Sequence, residues 1–218
     1  TPHVSTWVTG LVVALSCSIL TPDQAIGLCN IGTLFAFILV ALGVIVLRVL
    51  LQLVRANFHN PICQFLYRIS NPVLMPLRKL IPAWRRLDIA GVVLAWALLL
   101  VKRALIFALT LGLPTFAGLA VIALADLIGF VLMVMLVLII VRVIMSFVGS
   151  DSRHPVVPLI YQLTEPLLLP IRRRLSTAGG LDFSPVILML AFALLQTLLV
   201  APLLDFGLRM GVAGTGIG

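Results

Sequence analysis

The stretch Asn71-Pro72-Val73-Leu74-Met75-Pro76-Leu77-Arg78-Lys79 decides the fold, because Glu165-Pro166-Leu167-Leu168-Leu169-Pro170-Ile171-Arg172-Arg173 answers it at a constant offset of 94 residues. The register holds without a gap from Arg48–Ala97 onto Arg142–Ala191. Arg48 matches Arg142, Pro61 matches Pro155, Tyr67 matches Tyr161, and Asp88 matches Asp182. An apolar composition alone does not produce such pairs. Each unit reads as an apolar helix, a proline-punctuated basic segment, an Asp and a second apolar helix.

The chain is 62% hydrophobic and only 10% charged, with a mean hydropathy of +1.25, far beyond the roughly 45–50% apolar content of soluble domains. This is the composition of an integral membrane protein. A spanning helix needs about 20 apolar residues, since backbone groups cannot go unsatisfied in lipid. Four segments meet that need, near Thr33–Val54, Ile89–Leu113, Leu127–Val148 and Phe183–Leu204. The expected fold is an all-α membrane protein with four transmembrane helices in two helix–amphipathic segment–helix repeats. The first repeat covers residues 31–113 and the second, with the C-terminal tail, 127–218. Residues 114–126 form an apolar connector that either dips into the membrane as a re-entrant segment or lies flat.

A net charge of +8 could suggest nucleic acid, but the placement of the basic residues points to membrane orientation instead, and no nucleic-acid partner is expected. Arg55–Asp88 holds six Lys or Arg against one Asp, and Gly149–Asp182 holds four Arg against three acids. Asp23, Asp126 and Asp205 lie toward the other helix ends. By the positive-inside rule both basic segments are cytoplasmic, the C-terminus is periplasmic, and the repeats are parallel rather than inverted. Residues 1–30 stand outside the repeat. Trp7–Leu20 is apolar but short, so an interfacial helix and an irregular extension both fit it; it lacks the positive n-region of a signal peptide. The chain starts at Thr1 without a methionine, as a processed or renumbered product would.

Ile62, Phe65, Leu66 and Ile69 fall at i, i+3, i+4 and i+7, repeated as Val156, Leu159, Ile160 and Leu163, the pattern of short amphipathic helices on the membrane surface. The prolines four apart are expected to end these helices, leaving a short stiff continuation. Arg78, Lys79, Arg85, Arg86, Arg172, Arg173 and Arg174 would then face the headgroups of anionic lipids or an acidic protein partner. Asp88 and Asp182 precede apolar helices and are expected to cap them. Cys17, Cys29 and Cys63 form no CxxC motif, and the isolated His59–Asn60 and His154–Pro155 contexts give no metal-ligand signal, so neither a metal nor a cofactor is expected.

At this point the chain resembles the YggT (YlmG-like) family of bacterial inner-membrane proteins, which carry two tandem copies of this unit. The resemblance rests on Asn60-Pro61, Tyr67, Asn71-Pro72, Pro76-Leu77-Arg78-Lys79, Ile81-Pro82 and Leu87-Asp88. In the second copy it rests on Pro155, Tyr161, Glu165-Pro166, Pro170-Ile171-Arg172-Arg173 and Leu181-Asp182-Phe183-Ser184-Pro185. Ser176-Thr177 departs from the Ile81-Pro82 step. The resemblance implies a plasma-membrane protein without established catalytic activity, loosely associated with osmotic or envelope stress. Relatives are linked to cell division and, in chloroplasts, to cytochrome assembly.

Within the membrane, Lys102 and Arg103 lie about 20 Å into their helix at 1.5 Å per residue. Such charges are costly and call for a partner. If the chain reverses near Leu113–Pro114, Asp126 reaches the depth of Lys102, and Gln196 occupies the Lys102 position of the second repeat. Arg48 and Arg142, about six residues from their helix ends, are expected to snorkel to the interface. No nucleophile, base and acid share a depth, so an enzyme is not expected. The favoured role is a non-enzymatic accessory or assembly protein that binds anionic lipid and docks on a larger membrane complex or a second copy. The alternative is a small channel or transporter using the polar layer of Lys102, Arg103, Asp126 and Gln196.

Overall fold

The computed structural model describes residues 21–56, 59–81, 87–110, 114–148, 154–174 and 182–213. Thr1–Leu20 and the basic pair Arg85 and Arg86 lie outside the described residues. The described chain is all-helical: α1 (Pro22–Leu53), α2 (Pro61–Leu80), α3 (Ile89–Thr110), α4 (Phe116–Val148), α5 (Val156–Arg172), α6 (Ser184–Leu195), a π-helical turn (Gln196–Val200) and α7 (Ala201–Ala213). Four stretches are long and apolar enough to span a membrane: Cys29–Leu53, Ile89–Leu109, Phe116–Phe147 and Ser184–Gly211.

Two compact units divide the chain, Thr1–Ala41 and Leu42–Gly218. In the first, the described part is the leading portion of α1, whose Phe37 and Val40 are exposed. The second carries both polar segments. At the close of α1, the Ala56 N–H donates to Leu51 O at 2.9 Å and the Arg55 N–H to Gln52 O at 3.2 Å. This is a Schellman motif, and it holds Arg55 at φ 54°, a left-handed conformation that usually falls to glycine. Asn60 caps α2 by accepting from the Ile62 N–H at 2.9 Å, while its amide donates to Pro155 O at 2.6 Å. The starts of α2 and α5 are thereby tied together.

The prolines do not end the surface helices. Pro72 and Pro76 lie inside α2, and Pro166 and Pro170 inside α5. Each proline deletes one bond to the carbonyl four residues back. With prolines four apart, both losses fall on one face, and Pro72, Pro76, Pro166 and Pro170 are all exposed. The freed carbonyls can therefore be solvated, and the helix continues. The stripe facing the core also differs from expectation. In α2 it is Cys63, Leu66, Ser70 and Leu74 that are buried, while Phe65 and Ile69 are exposed. In α5 the matching Leu159 and Leu163 are buried.

The connector is likewise not a separate segment. Phe116–Ala125 belongs to α4, continuous with Leu127–Val148. This end of α4 packs at close range on α7. A Cβ on Gly118 would lie 2.5 Å from Gly211 N and 2.7 Å from Gly207 O. Gly207 and Gly211 are four apart, the small-residue spacing that lets helix backbones approach in a membrane. The Thr115 hydroxyl adds a bond to Met210 O at 2.9 Å.

Two apolar clusters fill the bundle. One joins Leu42, Ile45 and Val46 of α1 to Ala95 and Leu99 of α3 and to Ala123 and Leu127 of α4. The other gathers Leu51, Cys63 and Leu66 of the first repeat with Ile139, Leu159, Leu163 and Phe192 of the second. A shared core at the end that carries α2 and α5 couples the repeats there.

Candidate functional site

Arg48 and Arg142 do not snorkel; both are buried and both hold a surface helix to a spanning helix. Arg48 Nη1 donates to Ser70 Oγ at 2.5 Å and Nη2 to Asn71 Oδ1 at 3.2 Å, with the guanidinium 4.4 Å from the centre of the Tyr67 ring. In the second repeat Arg142 Nη1 donates to Thr164 Oγ1 at 2.8 Å and Nη2 to Glu165 Oε2 at 2.5 Å, with Tyr161 at 4.5 Å. The hydroxyls complete the arrangement: Ser70 donates to Leu66 O at 2.5 Å and Thr164 to Ile160 O at 2.7 Å. A planar guanidinium suits this job, since it donates in a fixed fork while stacking on an aromatic face. Snorkelling fails because these partners lie within reach on a helix folded back over the end of the span.

The second part of each site joins the end of the surface helix to the start of the next span. Arg78 pairs with the fully buried Asp88. This bond holds the Arg78 guanidinium above its ordinary value against the cost of burial. Arg172 donates to Asp182 Oδ2 at 2.6 and 2.9 Å and to Glu165 Oε1 at 3.3 Å. The Asp residues also meet the helix starts: the Ser184 N–H donates to Asp182 Oδ1 at 3.0 Å, and the Gly91 N–H lies 3.4 Å from Asp88 Oδ1. Burial works against the Asp182 charge, but its bonds with Ser184 and Arg172 outweigh it and place the carboxyl below the usual aspartate range. Among the described residues, Lys79, Arg173 and Arg174 are exposed and form no ion pair, unlike Arg78 and Arg172.

In the spanning region, Arg103 grips Asp126 with Nε at 2.6 Å and Nη2 at 2.7 Å, and Lys102 Nζ stands 3.5 Å from the same carboxylate. Gln196 opens the π-helical turn and donates to Gly129 O at 3.4 Å. The extra residue of a π turn offsets the helix register and is common at functional positions. No group of three or more His, Cys, Asp and Glu forms a metal site among the described residues.

The family model described as CCB3/YggT matches residues 30–109 and again 121–203, one match for each repeat. The chain belongs to the YggT family. It is 38% identical over 147 residues to the uncharacterised protein YggT of Escherichia coli K12, covering 67% of this chain and 76% of that protein. An uncharacterised protein of Pseudomonas aeruginosa is 37% identical over 181 residues, 78% of this chain and 90% of its own. A Vibrio alginolyticus protein, known by its place in the proC 3' region, is 36% identical over 165 residues, 73% and 85% of the two chains. Comparison with solved structures gives no significant match.

Within the YggT repeat, the residues that sequence reasoning missed are Ser70, Asn71, Thr164 and Glu165 as partners of the buried arginines. Their signal was the same 22-residue spacing from arginine to hydroxyl in both copies. Tyr67 and Tyr161 match across the repeats, and the stacked guanidinium supplies the physical reason for the match.

Proposed function

We propose that this YggT-family chain is a non-enzymatic accessory protein of the bacterial inner membrane. Its paired surface helices bind anionic lipid and dock on a larger membrane complex, in keeping with a role in envelope or osmotic stress. The basic helix ends lie on the cytoplasmic side and the C-terminus on the periplasmic side. The observation that carries this reading is the division of labour among the arginines. Arg78 and Arg172 are held by carboxylates and serve the fold, whereas Lys79, Arg173 and Arg174 stand exposed at the ends of helices that also expose apolar Val73, Met75, Leu80 and Leu169. An apolar face with a fringe of unpaired cations matches the boundary between acyl chains and anionic headgroups.

The alternative of a channel draws on Lys102, Arg103 and Asp126. The bidentate Arg103–Asp126 pair is more in keeping with a clasp between α3 and α4. The test is gentle-detergent purification of the native protein with mass spectrometry of co-migrating subunits. A stoichiometric membrane partner that is lost when Lys79, Arg173 and Arg174 are changed to Glu supports docking. A protein that runs alone, with ion flux in liposomes, supports the channel.

A further inference from the structure

The two repeats bury the same arginine in the same setting but balance its charge differently. Around Arg142 stand Arg172, Glu165 and Asp182, two cations against two carboxylates. At the matching positions of the first repeat, Asn71 replaces Glu165 and Arg68 replaces Gln162. Arg48 and Arg78 therefore share the single carboxylate of Asp88, which is already bonded to Arg78, and Arg68 adds a further cation on the same helix. Arg48 is only 4% exposed, its partners Ser70, Asn71 and Tyr67 are neutral, and its Nε has no hydrogen-bond acceptor. A buried cation without a counter-charge is costly, and the second repeat displays the remedy as a carboxylate.

The first repeat has a groove where that carboxylate is missing. It is open, about 480 Å³, and lined by Gln64, Tyr67, Arg68 and Asn71, within the size range of small-molecule sites. The Asn71 amide is fixed in sense: an arginine only donates, so Oδ1 faces Arg48 and the two N–H donors turn away from it. Arg68 forms no ion pair among the described residues and contributes a forked donor on the groove wall. A cationic and an amide side chain on one groove, with the buried Arg48 bonded to the far side of Asn71, call for a ligand that only accepts.

We propose that this groove binds a phosphate group, the first repeat's counterpart of the Glu165 carboxylate, and that the second repeat has no such site because Glu165 fills it. The phosphate is that of a phospholipid headgroup or of free inorganic phosphate; the chemistry is shared. The lipid form deepens the proposed lipid binding and rests on it.

The test is native mass spectrometry of the full chain in detergent, titrated with phosphatidylglycerol, with diacylglycerol as the phosphate-free control, and separately with inorganic phosphate. Wild type retains one more phosphatidylglycerol than Asn71→Glu, which imports the second repeat's residue, and no diacylglycerol; Arg68→Gln weakens that binding about tenfold, the loss of one charge-assisted contact. Glu165→Asn with Gln162→Arg rebuilds the site in the second repeat and raises the count by one, a gain that misfolding cannot mimic. Displacement of the lipid by millimolar phosphate, with the same dependence on Asn71, assigns the site to the free anion. Equal retention by wild type and Asn71→Glu overturns the site while leaving surface lipid binding intact. Loss of lipid only in the Lys79, Arg173 and Arg174 variant does the same. Loss only in Asn71→Glu supports the groove and counts against the exposed cations.

Discussion

Replacing Asp126 with Asn removes a charge from the middle of the bundle with almost no change in shape. The carboxylate receives two Arg103 bonds at 2.6 and 2.7 Å and lies 3.5 Å from Lys102 Nζ. The three side chains are 11%, 27% and 20% exposed. Removing one partner of a buried ion pair costs about 3–5 kcal/mol, because the remaining charge is left uncompensated. Asn keeps one acceptor for Arg103, and Lys102 can swing toward the interface, so about 2 kcal/mol is expected. That is a shift of roughly thirtyfold in the unfolding equilibrium. Equilibrium unfolding in mixed micelles measures it. The companion variant Lys102→Met, Arg103→Met, Asp126→Leu removes all the charges together and should recover stability to within about 1 kcal/mol of wild type. A loss under about 0.5 kcal/mol for Asp126→Asn, or a triple variant weaker than the single one, would refute a clasp and favour a hydrated polar layer.

Four further outcomes follow from the geometry. Thr164→Val removes the hydroxyl that accepts from Arg142 and donates to Ile160 O; it should cost about 2 kcal/mol, and limited proteolysis should cut α5 faster than in wild type. Gly118→Ala places a methyl 2.5 Å from Gly211 N and should lower stability by about 1–3 kcal/mol, read as a drop in thermal midpoint; an unchanged midpoint would remove the α4–α7 backbone contact from the account. Arg55→Gly relieves the φ of 54° and should raise stability by about 1 kcal/mol in the same assay. For Asp182, whose carboxyl is held below its ordinary value of 3.8, the contribution is present above that value and is lost as pH falls through the lower folded value. An acid titration of stability should therefore steepen below about pH 4, and Asp182→Asn should flatten that limb.

The spans and the repeat were legible because lipid imposes a length of about 20 apolar residues and because Arg48 to Ala97 recurs residue by residue. The roles of the polar residues were less so. Arg48 and Arg142 occupy depths where snorkelling is the usual solution, and only the fold-back of α2 and α5 brings Ser70 and Thr164 to them. Proline is by itself a helix-stop signal, yet Pro72 and Pro76 share an exposed face on which the lost bonds can be solvated. The Pro114–Ala125 stretch looked like a connector because Pro114 breaks the pattern. The close contact of Gly118 with Gly207 and Gly211 shows why Phe116 onward is spanning helix, and the Gly207–Gly211 spacing was the available clue. Lys102, Arg103 and Asp126 come together in the structure, whereas Gln196 bonds Gly129 on the next turn of α4. That position follows from a π turn, which no sequence periodicity announces.

Whether α2 and α5 present their basic ends to the same side of the membrane decides the proposed role, and one labelling experiment reads it directly. Single cysteines at Lys79, Arg174 and Phe116, the first residue of α4, each in a cysteine-free chain, are exposed to a membrane-impermeant maleimide in spheroplasts and in inverted vesicles. Parallel repeats predict that Lys79→Cys and Arg174→Cys label only in inverted vesicles and Phe116→Cys only in spheroplasts. Labelling of Lys79→Cys and Arg174→Cys from opposite sides would make the repeats inverted and leave no common basic surface for lipid or partner.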